Sequence, residues 1–112
     1  MSGAATERVC FLLQLKPCRV QDYLDAHRTV WPEMLDALRG AGWRNYSLFI
    51  RREDGLVVGY LETDDFAAAT AEMAKAAVNE RWQAFMADYF QAANGVQPDQ
   101  SLERLTEYFH LE

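Results

Sequence analysis

The first third of the chain combines a short apolar run with a longer amphipathic segment. The run "RVCFLLQL", residues 8–15, is β-prone and predicts a strand that carries apolar side chains on both faces. The next segment places apolar residues at helical spacing: Val20, Tyr23, Leu24, His27, Trp31, Met34, Leu35 and Leu38. Because a residue before proline avoids helical backbone, we expect a kink or boundary at Trp31, with Pro32 opening a second helical piece. Gly40 or Gly42 is expected to end that piece.

Two further strand-like runs follow and are joined by a turn. The runs "NYSLFIRRE" and "LVVGYLET" flank Asp54-Gly55, a dipeptide typical of a two-residue β-hairpin. In the first run, alternation places Tyr46, Leu48 and Ile50 on one face of the strand. Near the end of the chain, "NGVQPDQ" predicts a loop and "SLERLTEYFHLE" predicts a last strand.

An alanine-rich segment, residues 63–93, predicts helix between the hairpin and the loop. Thr63 or Asp64 can cap its start, and Asn79 marks a break between two helical pieces. The resulting order, β-α-β-β-α-β, is typical of the ferredoxin-like α+β fold, in which helices cover one face of an antiparallel sheet. The uncovered face would be a large apolar patch, which a dimeric α+β barrel would bury by packing sheet on sheet. A sheet that curls over its own side chains is the alternative.

Length and charge narrow the classes of function. The 112 residues predict one domain, residues 1–112, with residues 1–7 loosely held. Seventeen acidic against eleven basic side chains argue against nucleic acid or an anionic membrane as the main partner. No apolar run has membrane-spanning length and the start lacks a signal-peptide core, which favours the cytoplasm. The two cysteines, Cys10 and Cys18, are expected to be reduced thiols with packing roles.

The candidate chemistry centres on a histidine within "YLDAHRTVWPEM". Helical spacing places Tyr23, His27 and Trp31 on the side that should face the core. A lone histidine there is usually a packed residue, but imidazole, phenol and indole together can transfer a proton and offer an apolar wall. A sugar pocket needs hydrogen-bonding groups and an apolar wall, because a sugar presents hydroxyls at its edge and C–H groups on its face. Tyr46 and Trp82 can equally be ordinary buried residues of a strand and a helix.

The sequence shows no phosphate loop, dinucleotide glycine fingerprint, zinc-ligand spacing or Cys–His nucleophile arrangement. Small proton-transfer chemistry or simple binding therefore fits the chain best.

Four segments resemble the L-rhamnose mutarotase family: "YLDAHRTVWPEM", "GWRNYSLFI", "RWQAFMADYF" and "LTEYFHL". The similarity runs from about Val9 to Leu111, and Tyr-x-x-x-His-x-x-x-Trp-Pro-Glu is its most specific part. The resemblance implies a ferredoxin-like fold, a homodimer, no metal or cofactor, and interconversion of the two anomers of L-rhamnose.

The resemblance also implies roles for individual residues. The family's proton-donating histidine falls on His27, and its sugar-contacting tyrosines fall on Tyr23 and Tyr46. The first of two adjacent family tryptophans falls on Trp82, whereas Gln83 occupies the second position. Gln83 replaces an apolar wall with a hydrogen-bonding edge, which would accommodate a different pattern of sugar hydroxyls. The segment "AANGVQPDQS" also differs from the family's loop.

Three alternatives to an L-rhamnose mutarotase stay open. The substrate can be another sugar, which Gln83 makes credible. The chain can be a cofactor-independent monooxygenase of the dimeric α+β barrel type, with the same histidine and aromatic residues around a flat polycyclic substrate. It can also be a protein that binds a ligand without turnover.

Overall fold

The computed structural model describes residues 6–91 and 102–112 of the chain. The first half consists of β1 (Glu7–Gln14), α1 (Val20–Ala26) and α2 (Pro32–Gly40), with 3-10 turns at Pro17–Arg19 and His27–Thr29. The second half consists of β2 (Arg44–Arg51), β3 (Leu56–Thr63), α3 (Phe66–Lys75), α4 (Ala77–Met86), a 3-10 turn at Ala87–Tyr89 and β4 (Glu103–Leu105). The predicted loop, residues 94–100, and the altered family segment, residues 92–101, lie outside the described residues.

The four strands form one antiparallel sheet in the order β2-β3-β1-β4. β1 pairs with β3 over its whole length, from Glu7 opposite Thr63 to Gln14 opposite Leu56. β4 pairs with the other edge of β1, and β2 pairs with the other edge of β3. With helical regions after β1 and after β3, this order is the ferredoxin-like arrangement. The predicted fold class is therefore confirmed.

The inward face of the sheet carries the hydrophobic core. Val9 of β1 pairs with Leu61 of β3, and both side chains are fully buried. Phe11 lies opposite Gly59, and a Cβ on that glycine would lie 2.2 Å from Cζ of the ring. Glycine is therefore what allows the Phe11 ring to lie against β3. Each large apolar side chain buried here contributes about 1.5–3 kcal/mol to folding.

The helix break occurs where the sequence predicts it. α1 tightens into the 3-10 turn at His27, the backbone of Trp31 is non-helical with a ψ of 132°, and Pro32 is the first residue of α2. Proline suits that first position because its fixed φ matches the helix. The N–H that proline lacks would have no intrahelical acceptor at this position.

Gly42, rather than Gly40, is the glycine that terminates α2. Its φ is 92°, and the Trp43 N–H donates to the Leu38 carbonyl at 3.0 Å. This is a Schellman motif, which needs a left-handed residue just beyond the helix. The motif turns the chain inward, so the Trp43 side chain is buried.

The predicted hairpin exists, but the two-residue turn is wrong. Arg51 pairs with Leu56, so the loop spans the four residues 52–55. The Asp54 carboxylate accepts from the Leu56 N–H at 3.3 Å and from the Arg51 Nε at 2.9 Å. These bonds hold the longer turn, and Gly55 closes it with φ 77°.

The cap of the alanine-rich region differs from the prediction by one or two residues. Asp65, not Thr63 or Asp64, caps α3, and its Oδ1 accepts from the Ala68 N–H at 3.1 Å. Thr63 cannot serve as the cap because it is the last residue of β3 and pairs with Glu7.

The break in the alanine-rich region also lies slightly earlier than predicted. Ala76, with extended backbone, separates α3 from α4, and Asn79 follows in the first turn of α4. The Asn79 Nδ2 donates to the Met73 carbonyl at 3.1 Å, so its side chain joins the two helices.

Both ends of the described chain differ from the expectation. The sequence predicts a loose start through residue 7, yet Glu7 already belongs to β1. Its carboxylate accepts from the Phe66 N–H at 2.7 Å and from Arg104 at 3.2 Å. The last strand is shorter than predicted, because only Glu103–Leu105 pairs with β1 and the chain continues without further pairing.

The outward face of the sheet is also apolar, as predicted for β1 and the strand that follows the hairpin. Cys10 and Leu12 of β1 and Val58 of β3 point outward and are half-buried. Phe49 of β2 is 61% exposed beside Val58. Cys18 is exposed as well, so the expected packing role is wrong for that thiol. Within residues 6–91 and 102–112, no helix combines the length and apolarity needed to cross a bilayer.

Candidate functional site

A cavity of 260 Å³ lies between the inward face of the sheet and the helices. Its size is just below the usual range of small-molecule sites, about 300–1,000 Å³. The lining contains all five residues singled out from the sequence: Tyr23, His27, Tyr46, Trp82 and Gln83. They come from α1, the turn after it, β2 and α4, so the fold brings together side chains that are far apart in the chain.

His27 lies where α1 tightens into the 3-10 turn. Its Nδ1 is 3.0 Å from the Tyr23 carbonyl oxygen. Because a carbonyl only accepts, the neutral ring carries its proton on Nδ1 and leaves Nε2 as the acceptor. Burial lowers the pKa of His27 below its usual 6.5, while the bond to the Tyr23 carbonyl acts in the opposite direction. The site therefore favours a neutral imidazole whose Nε2 is the atom that can accept a proton.

Aromatic rings hold this imidazole on two sides. The Tyr23 ring centroid lies 4.3 Å from that of His27, and the Trp82 ring meets the imidazole edge-on at 5.5 Å. Trp82 in turn packs edge-on against Trp31 at 4.9 Å. Trp31 is not part of the cavity lining and supports the site through Trp82.

The Tyr23 phenol is 4% exposed, and its ring packs edge-on against Phe90 at 5.5 Å. Burial raises the pKa of Tyr23 well above its usual range, because the phenolate would be poorly solvated there. The phenol therefore keeps its proton at neutral pH and can donate a hydrogen bond into the cavity.

Tyr46 reaches the cavity from the sheet. Its ring lies 5.0 Å from that of Trp43 and 6.4 Å from that of Phe11. The pairing of β2 with β3 is irregular just before it, where Arg44 lies opposite Glu62 but Ser47 lies opposite Tyr60.

That irregularity is a β-bulge, since two residues of β2 lie opposite the single residue Leu61. Asn45 has a φ of 51°, in the left-handed region that asparagine tolerates better than most residues. Its side chain donates to Glu62 at 3.1 Å. After the bulge, β2 stays in register with β3, and Tyr46 shares the inward face with Leu48 by alternation.

Gln83 lines the cavity beside Asn79, a residue that the sequence analysis treats only as a helix break. Both are buried, with 8% and 3% of their surfaces exposed. The Gln83 Nε2 donates to the Asn79 Oδ1 at 3.1 Å. Their spacing of four residues on α4, with Trp82 beside them, was the signal available in the sequence, because it places all three on one helix face.

The polar groups of the cavity lining are an imidazole, two phenols, two carboxamides and the N–H groups of two indoles. Among the described residues, no group of three or more His, Cys, Asp or Glu side chains is placed to hold a metal ion. The imidazole is the member of this set that can exchange a proton near neutral pH. The arrangement can bind a small polyhydroxylated molecule and move a proton on it.

Comparison with known proteins agrees with this chemistry. The family model for L-rhamnose mutarotase matches residues 8–111. The chain belongs to the L-rhamnose mutarotase family. The L-rhamnose mutarotase of Burkholderia ambifaria is 33% identical over 107 residues, covering 95% of this chain and 99% of the relative. The crystal structure of the L-rhamnose mutarotase from Formosa agariphila matches with a TM-score of 0.78 and 30% identity, covering 95% and 99% of the two chains.

A more distant likeness concerns the fold alone. A dimeric ferredoxin-like protein from an uncultured marine organism matches with a TM-score of 0.56 and 11% identity, over 96% of this chain and 94% of that one. The family and the fold predicted from the sequence are thus confirmed, while the roles of His27, Tyr23, Tyr46, Trp82 and Gln83 stay predictions.

Proposed function

We propose that this protein interconverts the α and β anomers of L-rhamnopyranose, with His27 transferring the proton. Membership of the L-rhamnose mutarotase family makes it an isomerase of the aldose 1-epimerase type. The observation that supports the role of His27 is its imidazole in the cavity wall, oriented through Nδ1 by the Tyr23 carbonyl at 3.0 Å.

Mutarotation opens the pyranose ring at C1 and closes it with C1 inverted. On opening, His27 protonates the ring oxygen, one of the phenols Tyr23 and Tyr46 relays the proton of the anomeric hydroxyl to solvent, and the C1–O5 bond breaks to give the aldehyde. Rotation about C1–C2 presents the other face of the aldehyde, and closure reverses both proton transfers. Neither oxidation nor hydrolysis occurs, so the chemistry asks only for placed proton donors and acceptors.

In this mechanism the protonated form of His27 is the general acid toward the ring oxygen, and the neutral form is the general base when the ring closes. Nδ1 is held by the Tyr23 carbonyl, so the exchanged proton travels on Nε2. The lowered pKa of His27 makes its protonated form a readier donor than an exposed histidine. Such placed proton transfer accelerates reactions by about a hundred- to ten-thousandfold.

The remaining predicted residues bind and orient the sugar. Tyr23, whose phenol stays protonated, donates to one hydroxyl, and Tyr46 contacts another from the sheet side. Trp82 packs against the C–H face of the ring or its C6 methyl group. Gln83 contacts a further hydroxyl. Their common position in the lining of one cavity supports these roles.

We also propose that the protein is a homodimer packed through the outward faces of two sheets. A sheet that curled over its own side chains would cover Phe49, yet this ring is 61% exposed. The C-terminal tail adds Tyr108 and Phe109, which are 96% and 73% exposed, near the same face. An apolar surface of this kind usually contacts another chain. The cytoplasmic location expected from the sequence stays a prediction, as does the absence of a nucleic-acid or membrane partner.

The test of function is anomeric exchange of L-rhamnose followed by NMR, with wild type, His27→Ala and His110→Ala. We expect fast exchange with wild type and a loss of about 10²- to 10⁴-fold with His27→Ala. His110→Ala is the matched control, because that histidine lies in the tail, outside the cavity lining.

Equal exchange by wild type and His27→Ala would exclude the proposed role of His27. Exchange of another sugar instead of L-rhamnose would keep the mechanism and change the substrate. Binding without exchange would indicate a binding protein, and oxygen consumption with a flat polycyclic substrate would indicate a monooxygenase.

A further inference from the structure

We infer that Gln83 determines which sugars the cavity accepts and that Asn79 is the residue that holds its carboxamide in one orientation. This inference rests on the proposed function, because it assigns a specificity to the same cavity. It adds Asn79 as a positioning residue, a role that the sequence alone does not indicate.

The orientation of both carboxamides follows from the end of α3. The Met73 carbonyl can only accept a hydrogen bond, so the Asn79 nitrogen faces it at 3.1 Å. The Asn79 oxygen then faces Gln83, and only the Gln83 nitrogen can donate to it, at 3.1 Å. The Gln83 oxygen therefore lies on the side of its carboxamide away from Asn79. The Met73 carbonyl of α3 thus fixes the orientation of Asn79, and Asn79 in turn fixes the orientation of the Gln83 carboxamide.

Asn79, rather than Gln83, carries the observed side-chain bond from α4 to the end of α3. Gln83 lies within α4, where apolar residues of the same helix, such as Trp82 and Met86, are buried without difficulty. Asn79 reaches the Met73 carbonyl across the break between α3 and α4. Gln83 lies in the cavity wall, where its carboxamide can hydrogen-bond a hydroxyl of a ligand that enters.

Gln83 is placed to recognise the ligand and not to react with it. Trp82 supplies the ring that meets His27, and Gln83 is the next residue along α4. A carboxamide held in one orientation offers an acceptor and a donor at different positions, and so favours one arrangement of hydroxyls. A site built to bind a hydroxyl discriminates strongly against analogues that lack it or present it elsewhere.

The experiment measures kcat/KM for anomeric exchange on L-rhamnose, L-mannose, L-lyxose and L-fucose. L-mannose adds a hydroxyl at C6, L-lyxose lacks C6, and L-fucose changes the configuration at C2 and C4. The proteins are wild type, Gln83→Leu, Asn79→Ala and Gln21→Leu. Gln21→Leu is the matched control, because Gln21 is an exposed glutamine on α1 that lies outside the cavity lining. Its side chain donates to Asp25 at 3.0 Å.

We expect Gln83→Leu to change the ratio of kcat/KM between the best and the poorest sugar by tenfold or more. Asn79→Ala should move the ratio in the same direction by a smaller factor, and Gln21→Leu should leave it unchanged. A purely structural role would lower kcat/KM equally for all sugars, so the ratio separates the two roles.

A side-chain measurement on wild type keeps the inference testable if a variant does not fold. The NMR signals of the Gln83 carboxamide should shift when the preferred sugar is added, and the Gln21 signals should not. An unchanged ratio with folded Gln83→Leu, or an unmoved Gln83 signal, overturns the specificity role. An unchanged ratio with Asn79→Ala alone overturns the positioning role. Absence of exchange by wild type on every sugar overturns the proposed function itself, and this inference with it.

Discussion

The two faces of the sheet are built from the same strands but meet different surroundings. On the inward face, Phe11 is 2% exposed and packs beneath the helices. On the outward face, Phe49 is 61% exposed and has no helix over it among the described residues. Alternation along the strands assigns apolar side chains to both faces of the sheet. It does not say which face forms the core and which forms an association surface.

The two faces also differ in what they do to polar groups. The inward face and the helices surround His27, and burial lowers the pKa of its imidazole. Outward polar groups instead form partly exposed pairs, such as Arg8 with Glu107 at 2.9 Å. Exposed pairs of this kind contribute little to stability, typically below about 1 kcal/mol. The covered face holds the cavity, and the desolvated imidazole of His27 lies in its wall.

The largest difference should appear when the same residue type is truncated on each face. We expect Phe11→Ala to lower the free energy of unfolding by about 3–5 kcal/mol, because it leaves a cavity against Gly59 in the core. Phe49→Ala should lower the stability of the isolated chain far less. Urea denaturation at low protein concentration measures both, and similar losses would contradict the assignment of the two faces.

A charge on the outward face should separate the proposed dimer. We expect Phe49→Asp to weaken self-association by roughly 2 kcal/mol or more, as for a central aromatic residue of an interface. Sedimentation velocity measures the oligomeric state. Phe85→Asp is the matched control, because Phe85 is 46% exposed but lies on the helical side against Trp31. A dimer that survives Phe49→Asp and dissociates with Phe85→Asp would place the interface on the other side.

The bulge in β2 lies directly beside Tyr46, and Asn45 is its strained residue. A β-branched residue is poorly accommodated at a φ of 51°, so Asn45→Val should cost about 1–3 kcal/mol of stability. Asn45→Gly should be tolerated, because glycine adopts positive φ freely. Thermal denaturation measures the stability, and anomeric exchange shows whether Tyr46 is still placed. Equal effects of valine and glycine would show that the backbone conformation is not what matters.

The smallest effect concerns the titration of His27. Its pKa is lowered by burial, so the NMR titration of its ring should have a midpoint below 6.5. The unfolded chain then binds the proton more readily, and this contribution to stability is lost as the pH falls from about 6.5 through the folded-state pKa. Trp82→Ala exposes the ring and should raise the midpoint. A midpoint that does not move would mean that Trp82 is not what desolvates the imidazole.

Local predictions held where neighbouring residues decide the structure. The change from α1 to α2 at Trp31-Pro32 follows from the backbone of one residue pair. Predictions were wrong where a residue distant in the chain, or a side-chain bond, decides the local structure. Thr63 is not a helix cap because it pairs with Glu7, more than fifty positions earlier in the chain. The hairpin loop is longer than the Asp54-Gly55 signal because side-chain bonds of Asp54 hold four residues in the turn.

By itself the sequence determined the order of elements, the ferredoxin-like class and the family, and it pointed to the segment around His27 as the candidate site. Those features depend on local periodicity, on proline and glycine backbones and on a motif read within one continuous segment. Only the tertiary structure decided that Tyr46, Gln83 and His27 share one cavity, that the imidazole is desolvated, and that Asn79 and Gln83 are hydrogen-bonded. The last of these depends on the Met73 carbonyl at the end of another helix. The physical reason is that burial and hydrogen-bond direction arise from packing between elements, which no stretch of the chain specifies alone.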